Sequence, residues 1–327
     1  VIGLLGALLW GATPAQTPGS HHLVIVTGLS GEPQYRAGFT RLGASLVDAA
    51  RDQWGIADSS LIYLSEDPGA DRTRMTGRAT KESVRAALAG VAGRAQRNDV
   101  VIVILLGHGS QQGEVPQLNL PGPDLTAADL ATALDAFREQ TVVVINAASA
   151  SGGFVPVLSG PRRIVITATK SGFERNATLF GEMFVKGLVG AEADSDKNAR
   201  ISVAEAYGYA RREVARAYEN DKRLLTEHAQ LDDNGDGKGV SDLAAQPGGD
   251  GELAKLIAFG LAREAGSDDP AIAPLLVTRR GLEAEITALR SRKSGLDSAS
   301  YERQLEALLV KLAETNQAIR AAQGRTP

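Results

Sequence analysis

The chain offers few groups that can attack, carry a proton or bind a soft metal. It contains no cysteine and four histidines, so thiolate nucleophiles, thiolate metal ligands and disulfides are excluded together. What remains is an imidazole and a pair of hydroxyls at the ends of two apolar runs. His108 stands in Gly107-His108-Gly109-Ser110, directly after Val100–Leu106. Ser149 and Ser151 stand in the small-residue loop Asn146-Ala147-Ala148-Ser149-Ala150-Ser151-Gly152-Gly153, directly after Val142–Ile145. An imidazole within hydrogen-bond reach of a hydroxyl can take its proton during acyl transfer, so the two loops are the place to look for chemistry.

The elements around them predict that they meet. Both apolar runs are β-branched, short and bounded by turn residues, which marks buried strands. Between them, Leu130, Leu134 and Phe137 share one helical face, and Thr126 with Asp129 is placed to cap the helix start. A strand–helix–strand unit crosses over right-handed and leaves its strands parallel. Their carboxyl ends then lie on one sheet edge, where α/β proteins build their sites. His108 and the Ser149/Ser151 loop are therefore expected to face each other across a cleft. Further strands are expected at Leu23–Leu29, Leu61–Leu64 and Arg163–Thr169. Helices are expected over 37–54 (Phe39, Leu42, Leu46 and Ala49 on one face), 80–95 (with Thr80 as N-cap), 177–190 and 203–219. This alternation predicts a layered α/β fold with a mostly parallel sheet. His21 and His22 precede the first strand; adjacent residues of an extended chain point to opposite faces, so they read as a solvated strand entrance rather than a chelate.

A strand ending in His-Gly-Ser, then a strand ending in a small-residue loop with Ser-Gly, resembles the legumain (asparaginyl endopeptidase) family of caspase-like cysteine peptidases. In that family the nucleophilic cysteine sits in the pattern Ala-Cys-Glu-Ser-Gly. Ala148-Ser149-Ala150-Ser151-Gly152 matches it at three of five positions, with Ser149 in the place of the cysteine. Tyr35-Arg36 is similar to the family's pair whose arginine holds the substrate's asparagine side chain. The histidine that follows that pair in the family is Ala37 here, and the glutamate that follows the nucleophile is Ala150. The resemblance implies a caspase-like three-layer sandwich and His108 assisting the residue at 149. It also implies oxyanion donors at the Gly109 and Ser149 backbone N–H groups, and substrate-side residues at Arg36, Ala150 and Ser151. No cofactor is needed for such catalysis. Three functions fit: a pseudo-peptidase that binds a peptide or protein partner; an active hydrolase using Ser149 (or Ser151) with His108; or a cysteine endopeptidase in which serine replaces the cysteine. A hydroxyl is a far weaker nucleophile than a thiol and needs a positioned base, which favours the first.

The remaining features bound the setting. Hydrophobic content of 43% suffices for a packed core, and a net charge of −4 gives no reason to expect nucleic acid or an anionic membrane as partner. Val1–Trp10 followed by Gly11-Ala12-Thr13-Pro14-Ala15 reads as a leader over 1–15 that directs export to the periplasm or medium; it is too short to span a bilayer comfortably, so no stable span is expected after its removal. Asp194–Glu205 places oxygen ligands at Asp194, Asp196, Asn198, Ser202 and Glu205, the layout of an EF-hand loop for structural Ca²⁺, with Ala199 where glycine normally turns. The alternative there is a polar loop with Ser202 or Asn198 as helix N-cap. Asp232-Asp233-Asn234-Gly235-Asp236-Gly237 matches the first half of such a loop, but its twelfth position is Leu243, so a turn-rich surface loop is the preferred reading and a second cation site the alternative. His228, just upstream, is assigned no chemistry, and the sequon Asn176-Ala177-Thr178 reads as accidental. A boundary is expected at 246–251, with a last edge strand within 255–260. Leu275, Leu282, Ile286, Leu289 and Leu296, then Tyr301, Leu305, Leu308, Leu312 and Ile319, recur at helical spacing and predict a coiled-coil-like helical hairpin over 272–322. The hairpin is a candidate surface for a protein partner or self-association, appended to a peptidase-like domain over 20–262.

Overall fold

The computed structural model describes residues 19–198, 200–244, 249–260, 271–291 and 297–322; the expected leader, Ala199 and Leu296 lie outside the described residues. The first half of the chain forms β1 (His21–Thr27), α1 (Pro33–Asp52), β2 (Leu61–Ser65), β3 (Gly77–Arg78), α2 (Lys81–Ala92), β4 (Val100–Leu106), β5 (Gly109–Gln112), β6 (Val115–Leu118), β7 (Leu125–Thr126) and α3 (Ala127–Leu134). The second half forms β8 (Thr141–Asn146), α4 (Phe154–Leu158), β9 (Arg163–Thr167), α5 (Phe180–Val189), β10 (Arg200–Ser202), α6 (Val203–Asn220), β11 (Gln230–Asp232), β12 (Ala258–Gly260), α7 (Ala273–Ser291) and α8 (Ser298–Ala322).

Seven strands make the central sheet in the order β11-β9-β8-β4-β1-β2-β3. All its pairs are parallel except β11 on β9. β4 lies at the centre and every residue of it is buried, which is why it reads as an unbroken apolar run rather than an alternating one. Its side chains still alternate. Ile102, Ile104 and Leu106 enter the core that holds Leu46 of α1, Phe184 of α5 and Tyr207 of α6. Val101, Val103 and Leu105 enter the core that holds Leu88 of α2, Leu130 of α3 and Phe154 of α4. Each such buried side chain contributes about 1.5–3 kcal/mol, so the two cores fix both helix layers. The result is the expected three-layer α/β sandwich. Thr80 caps α2, and Thr126 with Asp129 forms a reciprocal capping box at α3. Phe137 lies beyond the end of α3 yet packs in the same core.

Two expectations are corrected, and one element appears that the sequence did not announce. His21 and His22 are not a solvated entrance: β1 begins at His21, which pairs with Val100 as His22 pairs with Val101. His22 is buried, its Nε2 3.1 Å from Asp99 Oδ2, while His21 packs on the Phe259 ring at 5.5 Å. Burial, helped by the charges of Arg200 and His22, lowers the His21 pKa to about 4. The 255–260 segment does not edge the central sheet; β12 pairs antiparallel with β10, and the edge strand is β11, which no apolar run announced. The stretch after His108 is a small antiparallel sheet, β5-β6-β7.

In the C-terminal hairpin Ile272 and Leu276, at the start of α7, pack with Ile319 near the end of α8, so the helices run antiparallel. Arg279 Nη1 donates to the Asn198 carbonyl at 3.3 Å and Arg320 Nη1 to the Lys197 carbonyl at 3.5 Å, which rests the hairpin on the acidic 194–205 loop. Among the described residues no helix is long and apolar enough to cross a membrane.

Candidate functional site

β4 and β8 pair in parallel, Ile104 opposite Ile145 and Leu105 opposite Asn146, so the links that follow them emerge side by side. Two glycines let those links touch. Gly107 adopts φ +152° against the Gly28 backbone, and a Cβ on Gly109 would lie 2.4 Å from the Ser149 carbonyl oxygen. The His108 backbone is braced by the residue that follows β6, since Asn119 N–H donates to the His108 carbonyl at 3.0 Å. The half-buried imidazole is wedged between aromatic edges, 4.7 Å from the Tyr35 ring and 5.6 Å from the Phe39 ring, both near perpendicular. Among the described residues the ring makes no hydrogen bond, and no carboxylate orients it.

Ser149 is 2% exposed. Its hydroxyl accepts from Gly109 N–H at 3.2 Å and donates to the Gly109 carbonyl at 3.3 Å. The proton that a general base would have to remove is thus directed at a backbone carbonyl. The Ser149 N–H itself has no acceptor among the described residues. The loop around it is closed from within: Ala148 N–H donates to Asn146 Oδ1, and Ala150, in the left-handed region at φ 52°, donates its N–H to the Glu174 carbonyl at 2.8 Å. The structure brings the His108-Gly109 link and Ser149 together through the two Gly109–Ser149 hydrogen bonds. It does not bring the Ala150 or Ser151 side chain to the surface beside them. Ala150 is fully buried, and the Ser151 hydroxyl turns inward to Thr169 Oγ1 at 3.2 Å, where Gly152 N–H also donates. The loop folds under the segment after β9, and that removes both side chains from the substrate side.

Arg36 stands at the start of α1 with its guanidinium committed to Glu66, Nε to Oε1 2.9 Å. Burial disfavours ionisation of Glu66, but hydrogen bonds from Ser30 and Arg36 outweigh it and hold the carboxyl below its ordinary range. The crevice between Arg36, Phe39, Glu66 and Asp67 is only about 10 Å³, room for a single water rather than a side chain.

Glu174 was not foreseen. Its carbonyl holds Ala150, and its carboxylate takes the Lys170 and His228 N–H groups at 3.0 Å and the Nδ1 of His228. A carboxylate-oriented imidazole therefore exists in this molecule, but at His228 rather than His108. No spacing rule relates residues 54 positions apart, so nothing in the sequence signalled it. His228, Arg211, Glu227 and Phe180 line a neighbouring cavity of about 100 Å³. Glu227 caps the start of α5, accepting from Leu179 and Phe180 N–H.

In the 194–205 loop, oxygens of Asp194, Asp196 and Glu205 all lie within 4.8 Å of one another. Burial, then the charges of Glu205 and Asp194, push the Asp196 carboxyl up. Ser202 is the N-cap of α6 and forms a capping box with Glu205, whose other oxygen accepts from Ser195 N–H and Oγ. Asn198 Oδ1 accepts from Arg200 N–H at 2.7 Å.

The family model of the Peptidase C13 family matches residues 80–230. The match begins at the N-cap of α2 and ends at β11; it contains His108, Gly109, Ser149 and Glu174 and leaves Arg36 outside. No curated protein matches the chain. The matched family and the three-layer architecture agree on a caspase-like peptidase fold.

Proposed function

We propose that this caspase-like domain binds a peptide or protein segment at the carboxyl edge of β4 and β8 without cleaving it. One observation carries the reading: the Ser149 hydroxyl is hydrogen-bonded to both backbone polar groups of Gly109, while the imidazole that should activate it is packed by Tyr35 and Phe39. A serine nucleophile needs a base in hydrogen-bond contact and a group that orients the base. Neither relation is present among the described residues. One of the two backbone oxyanion donors is open: Gly109 N–H is taken by the Ser149 hydroxyl, while Ser149 N–H has no acceptor among the described residues and is available to a peptide carbonyl.

The reading is tested with a peptide library displayed to the full chain. Retention of peptides with unaltered mass, weakened by substitution of Tyr35 or Phe39, is expected. Turnover of any retained peptide contradicts it. A second reading, a cysteine endopeptidase in which serine stands for cysteine, is favoured by the family match over 80–230 and the open Ser149 N–H, and Ser149→Cys decides it. Peptidase activity that iodoacetamide abolishes would establish that reading.

Around this core function we propose export by the 1–15 leader and partner binding or self-association through the C-terminal hairpin. For the 194–205 loop we propose structural Ca²⁺, supported by the convergence of Asp194, Asp196 and Glu205. Binding there requires Glu205 to exchange its hydrogen bonds from Ser195 for the ion. Loss of calcium-dependent stabilisation in Asp196→Asn tests it.

A further inference from the structure

The acidic run after β11, read from sequence as a turn-rich surface loop, is partly interior. Asp232 is 1% exposed, Asp250 3% and Asp233 9%. Asp233 is fully used: its two oxygens accept from Gly251 and Ala254 N–H at 2.7 and 2.8 Å. Asp250 Oδ1 accepts from Asp233 and Asn234 N–H at 2.9 and 3.2 Å, which sets that side chain at the mouth of the 232–237 loop. Asp232 differs. Its Oδ1 accepts from Gly235 N–H at 3.1 Å, turning the carboxylate into the loop, and its Oδ2 is buried with no hydrogen-bond partner at all. No salt bridge reaches Asp232, Asp233, Asp236 or Asp250 among the described residues. A buried, half-satisfied carboxylate beside two other carboxyls is costly unless a cation or a proton neutralises it.

We infer that the 232–237 loop, completed by Asp250, is a site for a hard divalent cation, Ca²⁺ in the first instance. Asp232, Asn234 and Asp236 present side-chain oxygens at alternate positions, the arrangement in which oxygen ligands wrap Ca²⁺. Gly237, at the sixth position, holds the left-handed conformation at φ +75° that such a loop turns on. The twelfth position, Leu243, offers no ligand, and Asp250 brings the missing acid from the following turn. Oxygens that accept a backbone N–H keep lone pairs for an ion. Among the described residues these acids do not converge as Asp194, Asp196 and Glu205 do, so binding requires the loop to tighten on the ion, with the Asn234 side-chain oxygen and backbone oxygens filling the shell. The ion would tie the edge strand β11 to the 249–254 turn, independently of what happens in the cleft.

The test is calorimetric titration of the chelator-stripped full chain with CaCl₂, alongside thermal melting. Wild type, Asp232→Asn, Asp236→Asn and Asp196→Asn are compared, with circular dichroism to confirm folding. Asp236 is exposed, so its variant keeps the test valid if Asp232→Asn fails to fold. The expected result is Ca²⁺ binding that weakens about tenfold or more in Asp232→Asn and Asp236→Asn, with that binding event retained in Asp196→Asn. Two results overturn the inference: no binding to wild type up to about 10 mM Ca²⁺ or Mg²⁺, or binding lost only in Asp196→Asn. The second would place the ion in the 194–205 loop alone.

Discussion

The carboxyl edge of β4 and β8 and the edge strand β11 make opposite use of their polar groups. At the β4/β8 edge the two candidate hydroxyls are already committed: Ser149 to the Gly109 backbone, Ser151 to Thr169. At β11 the Asp232 carboxylate retains a buried oxygen with nothing bonded to it. A satisfied polar group holds structure together, whereas an unsatisfied buried one calls for a partner. Among the described residues the β8 edge keeps unpaired groups too, the buried Asn146 Nδ2 and the Ser149 N–H, so the difference lies in charge: at β11 the unpaired group belongs to a carboxylate, and on that ground we read the serine hydroxyls as scaffold and the acidic turn as a ligand site.

The contrast can be broken most forcefully at Gly109. Gly109→Ala forces a Cβ against the Ser149 carbonyl oxygen, a backbone atom that cannot swing aside, and should cost about 2 kcal/mol or more by chemical denaturation. Unchanged stability would mean that the two links are not in contact. Next comes Asp250, whose carboxyl is pushed up by burial first and by the charges of Asp232 and Asp233. A raised acid contributes stability that is present below its unfolded pKa, near about 4, and lost as pH rises through the folded value. In chelator at neutral pH, Asp250→Asn should therefore melt above wild type, and the advantage should vanish below about pH 4. With Ca²⁺ the order should reverse, because the variant loses a ligand.

A smaller effect is expected from His21. Its folded pKa of about 4 lies below the ordinary 6.5, so the neutral ring contributes stability above 6.5 that drains away as pH falls toward about 4. His21→Gln should flatten that part of the melting profile; an unchanged slope would show that His21 is solvated. The smallest effect is expected from Ser149→Ala. Its two hydrogen bonds to Gly109 are long, and removing the hydroxyl should cost about 1 kcal/mol or less.

The sheet was legible where apolar β-branched residues run together. β4 lies where its composition places it, and β2, β8 and β9 follow within a residue or two. Three-residue β11 and β10 were not, because an edge pairing depends on a neighbour distant in sequence rather than on its own composition. That the links after β4 and β8 emerge side by side followed from parallel crossover geometry. The direction of the Ser149 hydroxyl did not, since it depends on how closely Gly109 approaches. Glu174 and Asp250 were invisible for the same reason: each acts on residues far away in the chain and near it only after folding. The two acidic loops show the limit of spacing rules. The loop with the full ligand pattern uses Glu205 as a helix cap, while the loop with half the pattern completes it from another turn.

The account depends above all on Ser149 being inert. Treating the full chain with a fluorophosphonate probe, with Ser149→Ala as control, measures that directly. The expected result is no labelling at Ser149 and no difference between the two proteins. Stoichiometric labelling of wild type that disappears in Ser149→Ala would show that His108 reaches the hydroxyl after all, and the cleft would be an active hydrolase site.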